Sequence, residues 1–270
     1  MSRLAGRVPA PVLGGLIAAA LVVVAVVVIL VTDDPEGSTL PPRDPGEPRV
    51  DWGEPESGDP TALVMVLHGG GWQASDAEYE SQRGVAEGLQ DEGYATVRVG
   101  YDEGATGLEQ IEEIYEEGRR RYPDLPICVN GISAGGHLGL MLATREPDLD
   151  CVITTAAPTD LTTLAEQGGR DAYDAAVEAF GKDKLATYSP VRFADQIQAE
   201  VMMVVAESDP TVPAEQGREM ARALPDAELI VLPPGPVPAV SAHFGGVAEG
   251  SEQDAIEREL AFLQQATQGS

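Results

Sequence analysis

Histidine is scarce in this chain: three in 270 residues, His68, His137 and His243. That is too few for a histidine metal cluster, and the D-x-D-x-D-G, H-E-x-x-H and C-x-x-C spacings are absent as well, so no metal site is expected. Basic residues are also few. Seventeen Lys and Arg face 45 Asp and Glu, a formal charge of -28. Such a chain repels phosphate backbones, which argues against nucleic acid as a partner. The acidity itself reads as a solvated, self-repelling surface suited to solubility or to a saline setting. No G-K-[ST] follows either glycine run, and neither run spells G-x-G-x-x-G, so a phosphate cradle is not expected.

Charge is missing altogether between residues 8 and 32. Residues 10–31 are apolar apart from Pro11 and two glycines. As a helix these 22 residues would span about 33 Å, enough for a hydrocarbon core of about 30 Å. Arg3 and Arg7 precede the run, and Asp33, Asp34 and Glu36 follow it, which predicts a transmembrane helix with its N-terminus inside. A cleaved signal peptide is the rival reading, but the apolar core is long for one and no A-x-A site follows it. Either way the rest of the chain is expected outside the cell, held at the membrane or secreted. Residues 33–60 read as a tether. They hold seven Pro, four Gly and eleven charged residues, too little apolar surface to fold alone, with Trp52 as a candidate for docking on the domain edge.

From residue 61 onward, strand-like and helix-like stretches alternate, which implies a mostly parallel sheet covered on both faces. Strands are predicted at 62–67, 94–99, 125–129, 151–156, 201–206 and 228–232. Helices are predicted at 78–92, 108–122, 137–144, 213–224 and 252–265. Residues 158–199 interrupt the rhythm with helix-like pieces at 162–166 and 172–180 and several aromatics, and read as a small cap insertion.

The sharpest local signal is Gly131-Ile132-Ser133-Ala134-Gly135-Gly136, set between an apolar strand and a helix. A G-x-S-x-G turn in that context lifts a serine hydroxyl clear of the sheet. Alone it is expected by chance in roughly one chain in eight of this composition, so its weight depends on partners. A serine needs a base within hydrogen-bond reach and a group that orients the base. His68 opens a glycine run and is better suited to fixing that loop; His137 lies four residues past Ser133 on the following helix, facing away. His243, between the last strand and the last helix, is left as the base. The orienting acid should stand at a strand end between Ser133 and His243. Asp209 fits best, ahead of Glu207 and of Asp160, which also reads as a helix cap. His68-Gly69-Gly70-Gly71-Trp72 directly follows the 62–67 strand, and its glycines allow N–H groups to converge on a developing negative charge. Ala134, next after the serine, supplies another donor.

Taken in order, His68 to Trp72, Gly131 to Gly135, Asp209 and His243 resemble the α/β-hydrolase fold, and more closely the bacterial esterases and lipases with an H-G-G-G-W loop. The stretches Tyr188-Ser189-Pro190 and Asp209-Pro210-Thr211-Val212-Pro213 are similar to members with compact caps, including acyl-ester hydrolases and dipeptidyl-type relatives. The likeness covers residues 62–265. It implies a triad of Ser133, Asp209 and His243, an oxyanion hole from Gly70, Gly71 and Ala134, and hydrolysis of small-molecule carboxylic esters without a cofactor. An amidase or peptidase with the same triad is the alternative. A catalytically silent surface binding module is the reading from another class; it predicts the loss of a triad member, and none is missing. Trp72 and the cap aromatics would line the pocket, unless they are ordinary core. Two departures stand out: residues 33–60 leave little room for the two strands that usually precede the H-G-G-G strand, and four prolines (Pro233, Pro234, Pro236, Pro238) crowd the approach to His243. Cys128 and Cys151 each open a predicted strand. If those strands are neighbours a disulfide can form, and if not they are two small buried apolar residues.

Overall fold

The computed structural model describes residue 40, residues 46–238 and residues 245–268. Its main sheet contains β1 (Arg49–Gly53), β2 (Leu63–Leu67), β3 (Ala95–Gly100), β4 (Ile127–Ile132), β5 (Cys151–Thr155), β6 (Glu200–Ala206) and β7 (Glu228–Leu232). Their order in space is β1-β3-β2-β4-β5-β6-β7, and every pairing is parallel except that of β1 with β3. Helices α1 (Asp76–Ser81) and α2 (Arg83–Asp91) follow β2, α3 (Gly104–Arg121) follows β3, and α4 (Ala134–Ala143) follows β4. Between β5 and β6 come α5 (Arg170–Phe180) and two 3₁₀ segments, Lys182–Tyr188 and Pro190–Gln196. Helix α6 (Glu215–Ala223) joins β6 to β7, a small antiparallel pair β8 (Pro234–Pro238) and β9 (Gly246–Val247) follows, and α7 (Ser251–Gln268) comes last. This is the expected α/β-hydrolase architecture.

The near-continuous apolar runs of the inner strands have a simple cause. Successive side chains of a strand point to opposite faces, and both faces are covered. Leu63, Met65 and Leu67 of β2 enter a core shared with Leu108, Ile111 and Tyr115 of α3, Leu138 and Leu142 of α4, and Met220 of α6. Val64 and Val66 enter a second core with Ala86 and Leu89 of α2 and Phe262 and Leu263 of α7. Every residue of α4 is buried, so this helix carries no polar stripe. It sits tightly on the sheet at Gly139, where a Cβ would lie 2.7 Å from Val129 Cγ1.

Strand β1 lies within residues 33–60, at the stretch around Trp52 that the sequence offers for docking on the domain edge. Ordered pairing begins at Arg49, in register with Gly100, and Trp52 docks beneath the Arg121 guanidinium, 4.7 Å from its ring centre, and beside Tyr122. Asp51 gives β1 an electrostatic reason to be there. It pairs at 2.7 Å with Arg98, its register partner on β3, whose side chain is only 3% exposed. A guanidinium buried to that degree needs a partner, and Asp51, Glu80 and the Tyr79 carbonyl supply it.

Element boundaries moved by a few residues, with three differences of kind. The stretch 78–92 forms two helices rather than one, because Gln82 (φ -87°, ψ 0°) leaves helical geometry between α1 and α2. Residues 162–166 form turns instead of a helix. The proline-rich stretch after β7 forms β8, whose prolines sit at the periphery of a two-stranded pair where missing N–H donors cost little. The predicted transmembrane helix lies outside the described residues; among those that are described, no helix is long and apolar enough to cross a membrane.

Of the two readings of the cysteines, the structure shows the disulfide. Strands β4 and β5 are neighbours, Cys128 and Cys151 are register partners with Cα atoms 4.5 Å apart, and their sulfurs are joined. Closing a loop across 23 positions of sequence restricts the unfolded chain by about 3 kcal/mol in the chain-entropy account.

Candidate active site

Ser133 sits at the carboxyl end of β4, between strand and helix, with φ +53° and ψ -119°. A non-glycine residue rarely adopts positive φ, and its surroundings hold it there. Its N–H donates to the Thr155 carbonyl on β5 (2.8 Å), and its carbonyl accepts from the His137 N–H in the first turn of α4 (3.0 Å). The flanking glycines are required by close approach. A Cβ at Gly131 would lie 2.7 Å from the Gly135 backbone, and one at Gly135 would run into the carbonyl oxygens of Leu67 and His68. The turn therefore brings the end of β2 against the start of α4, leaving Ser133 at the carboxyl end of the sheet, 7% exposed.

The glycine loop lies beside it. A Cβ built on Gly69 would be 3.4 Å from Ser133 Cβ. Gly70, Gly71 and Trp72 follow with φ of +92°, +65° and +62°, and the turn is closed by Gln73 N–H donating to the Gly70 carbonyl at 3.3 Å. Gly70 packs on Glu78, and Gly71 faces Ala175 of α5. Of the two readings of Trp72, burial matches ordinary core: the residue is 1% exposed and packs in the main core cluster. Its indole N–H donates to His137 Nδ1 (3.0 Å), and its ring meets Phe180 edge-on.

Of the three candidate acids, Asp209 stands in the loop delivered by β6, two strands from β4. Its Oδ1 accepts from the N–H groups of Thr211 (2.8 Å) and Val212 (2.9 Å), which fixes the carboxylate plane. Glu207 is half exposed and pairs with Arg218 instead. Asp160 caps its own turn through Thr162 N–H (2.9 Å) and faces Arg192. Glu207 and Asp160 thus each face an arginine.

The histidines separate just as clearly. His68 is 1% exposed, stacked on Tyr101 at 4.2 Å between ring centres, with Nδ1 2.7 Å from the Gly69 carbonyl. His137 is fully buried, and both its nitrogens are committed: Nδ1 accepts from Trp72, and Nε2 lies 2.6 Å from the Tyr188 carbonyl. One neutral tautomer, protonated at Nε2, satisfies both partners. His243 lies outside the described residues. The chain just past it is anchored, since Ser208 Oγ donates to the Gly246 carbonyl (2.7 Å) and a Cβ at Gly245 would sit 2.9 Å from the Ser208 carbonyl.

Burial lowers the His137 pKa to about 4, only partly offset by the Tyr188 carbonyl. In the unfolded chain the imidazole would take up a proton near pH 6.5. Stability from this group is therefore complete above pH 6.5 and lost as pH falls toward 4, by about 3 kcal/mol in all. Urea unfolding at pH 7 and pH 4.5 should show a smaller acid-induced loss in His137→Gln than in the wild type. Equal losses would contradict a neutral buried His137.

A family model for the prolyl oligopeptidase family matches residues 122–270, 149 of the 270 positions. The chain belongs to this family of α/β-hydrolase-fold serine hydrolases. It is 26% identical over 196 residues to dipeptidyl aminopeptidase BIII of Pseudoxanthomonas mexicana, a match covering 61% of the chain and 28% of that protein. It resembles the structure of a Mycobacterium tuberculosis puromycin-hydrolyzing peptidase at TM-score 0.61 and 21% identity, over 79% of this chain and 35% of the other. It also resembles the acetyl ester-xyloside bifunctional hydrolase of Caldicellulosiruptor lactoaceticus at TM-score 0.61 and 19% identity, over 87% and 89%. A truncated carbohydrate esterase from gut microbiota aligns at TM-score 0.65 and 14% identity, over 81% and 90%. The chain thus spans about a quarter to a third of the length of its two peptidase relatives.

Proposed function

We propose that this protein is a serine hydrolase that cleaves carboxylic esters, with Ser133 as nucleophile, His243 as general base and Asp209 as the group that orients it. The observation that carries the reading is the held, positive-φ turn at Ser133 with the glycine loop packed against it. Ser133 Oγ attacks the acyl carbonyl while His243 takes its proton and then delivers it to the leaving alcohol. The N–H groups of Gly70, Gly71 and Ala134 stabilise the tetrahedral oxyanion. Water, activated by His243, then releases the acid and restores the serine. The scheme invokes no cofactor.

Esters come first because the two neighbours named for ester hydrolysis align over about nine tenths of their own length. Peptide-bond hydrolysis is the second reading, favoured by the family match and by the dipeptidyl aminopeptidase relative. The same triad serves both, and pocket shape decides. We also propose that the hydrolase works outside the cell, tethered through residues 1–32 or secreted. The charge pattern of that segment and the Cys128–Cys151 disulfide, a bond that persists in oxidising compartments, both support this. The residues that cap the site on this reading are 158–199.

Kinetics on p-nitrophenyl acetate and butyrate beside dipeptidyl p-nitroanilides test the ordering. Ester kcat/KM is expected to exceed that for the amides by more than 100-fold. The reverse ranking would establish the peptidase reading, and the absence of any phosphonate label on Ser133 would remove both.

A further inference from the structure

The glycine loop contains one conformation that glycine does not excuse. Positive φ is natural for Gly70 and Gly71, but Trp72 continues the run at +62°. For a bulky residue this is an outlier, and it persists only where the surroundings over-determine it. Three contacts do so. The Trp72 carbonyl accepts from the Gly104 N–H at the start of α3 (3.1 Å). The indole ring packs against Phe180 and His137. The indole N–H donates to His137 Nδ1 (3.0 Å), the one side-chain hydrogen bond of the set.

His137 joins three parts of the site at once. Its backbone N–H donates to the Ser133 carbonyl, its Nδ1 holds the glycine loop through Trp72, and its Nε2 lies against the Tyr188 carbonyl in the segment between β5 and β6. A purely space-filling residue at this spot would be apolar. A buried imidazole with both nitrogens matched instead lends direction, because the acceptor lone pair on Nδ1 defines where the indole must lie. The rings against it are those of Trp72 and Phe180, and Tyr188 stacks in turn on Phe180.

We propose that His137 is a positioning residue for hydrolysis, holding the Gly70–Trp72 turn against Ser133 through the Trp72 indole in the conformation that receives the oxyanion. The proposal rests on the reading of that turn as the oxyanion hole. His137 touches neither substrate nor reacting atoms, so its influence falls on the rate of acylation and not on substrate affinity. An oxyanion donor that is displaced, not deleted, loses part of an effect worth about 10²–10³ in kcat.

The test compares single-turnover acylation rates and KM on an activated ester for the wild type, Trp72→Phe, His137→Leu, His137→Gln and the Trp72→Phe/His137→Leu pair. Trp72→Phe keeps an aromatic ring in place while removing the N–H together with the volume of one fused ring. We expect its acylation rate to fall by about 10–100-fold, with KM within about twofold of wild type. His137→Leu should show a similar loss. His137→Gln, whose amide oxygen can accept from Trp72, should recover most of the rate. The double variant should be no slower than the slower single one, since both changes remove the same bond. Trp72→Phe and the remaining variants keeping acylation within twofold of wild type, while Ser133→Ala is inactive, would overturn the positioning role and leave the hydrolase reading standing. If His137→Leu fails to fold, Trp72→Phe and His137→Gln decide together: loss in the first with the rate kept in the second supports the role, and equal rates in both overturn it. A wild-type protein that hydrolyses neither ester nor amide would remove the functional reading and this inference together.

Discussion

Replacing Ser133 with alanine is expected to lower kcat for ester hydrolysis by about 10⁶-fold, with the unfolding midpoint close to that of the wild type. The two halves of this expectation come from different atoms. The turn is held by the Ser133 N–H to Thr155, by its carbonyl to His137, and by the close backbone contacts at Gly131 and Gly135. None of these involves the hydroxyl, and alanine meets the positive φ no worse than serine does. Truncation therefore removes only Oγ. If that oxygen forms the acyl-enzyme, no other group stands in the turn to replace it, and what remains is the small acceleration from binding and oxyanion stabilisation. Retention of activity within tenfold of wild type, in a variant whose folding is intact, would place the nucleophile elsewhere.

How much of this was legible beforehand follows from the range of each interaction. Strands β2, β5 and β6 were readable because burial on both faces demands unbroken apolar runs such as Leu63–Leu67 and residues 201–206. Ser133 and the glycine loop were readable because tight turns and close backbone approach leave a glycine signature in the sequence itself. Local sequence ranks Asp209 ahead of Glu207 and Asp160 without deciding among them, since each is an acid near a strand end. Arg218 beside Glu207 and Arg192 beside Asp160 distinguish them only once the chain is folded. The cysteines had two readings until strand order and register put Cys128 opposite Cys151. Arg98 and Asp51, and Trp72 and His137, lie 47 and 65 positions apart. No periodicity links such pairs, so the strand β1 and the clamp on the glycine loop appear only in three dimensions.

The second large effect concerns the base: His243→Ala is expected to lower kcat by about 10⁶-fold, comparable to the loss of the serine. The chain holds three histidines, and two are committed elsewhere. His68 stacks on Tyr101, whose hydroxyl donates to the His68 carbonyl at 2.6 Å. His137 spends both nitrogens on Trp72 and Tyr188, and burial opposes the charge that a base must take up during the reaction. Chain connectivity favours His243 as well. Gly245 and Gly246 are fastened to Ser208, the residue before Asp209. Asp209 in turn has its Oδ1 fixed by two backbone N–H groups, the kind of rigid support an orienting carboxylate needs. Because Ser133 and His243 act as one unit on this scheme, the double variant should be about as slow as either single one, not 10¹²-fold slower. Additive losses, or a His243→Ala enzyme within tenfold of wild type, would show that the proton leaves Ser133 by another route.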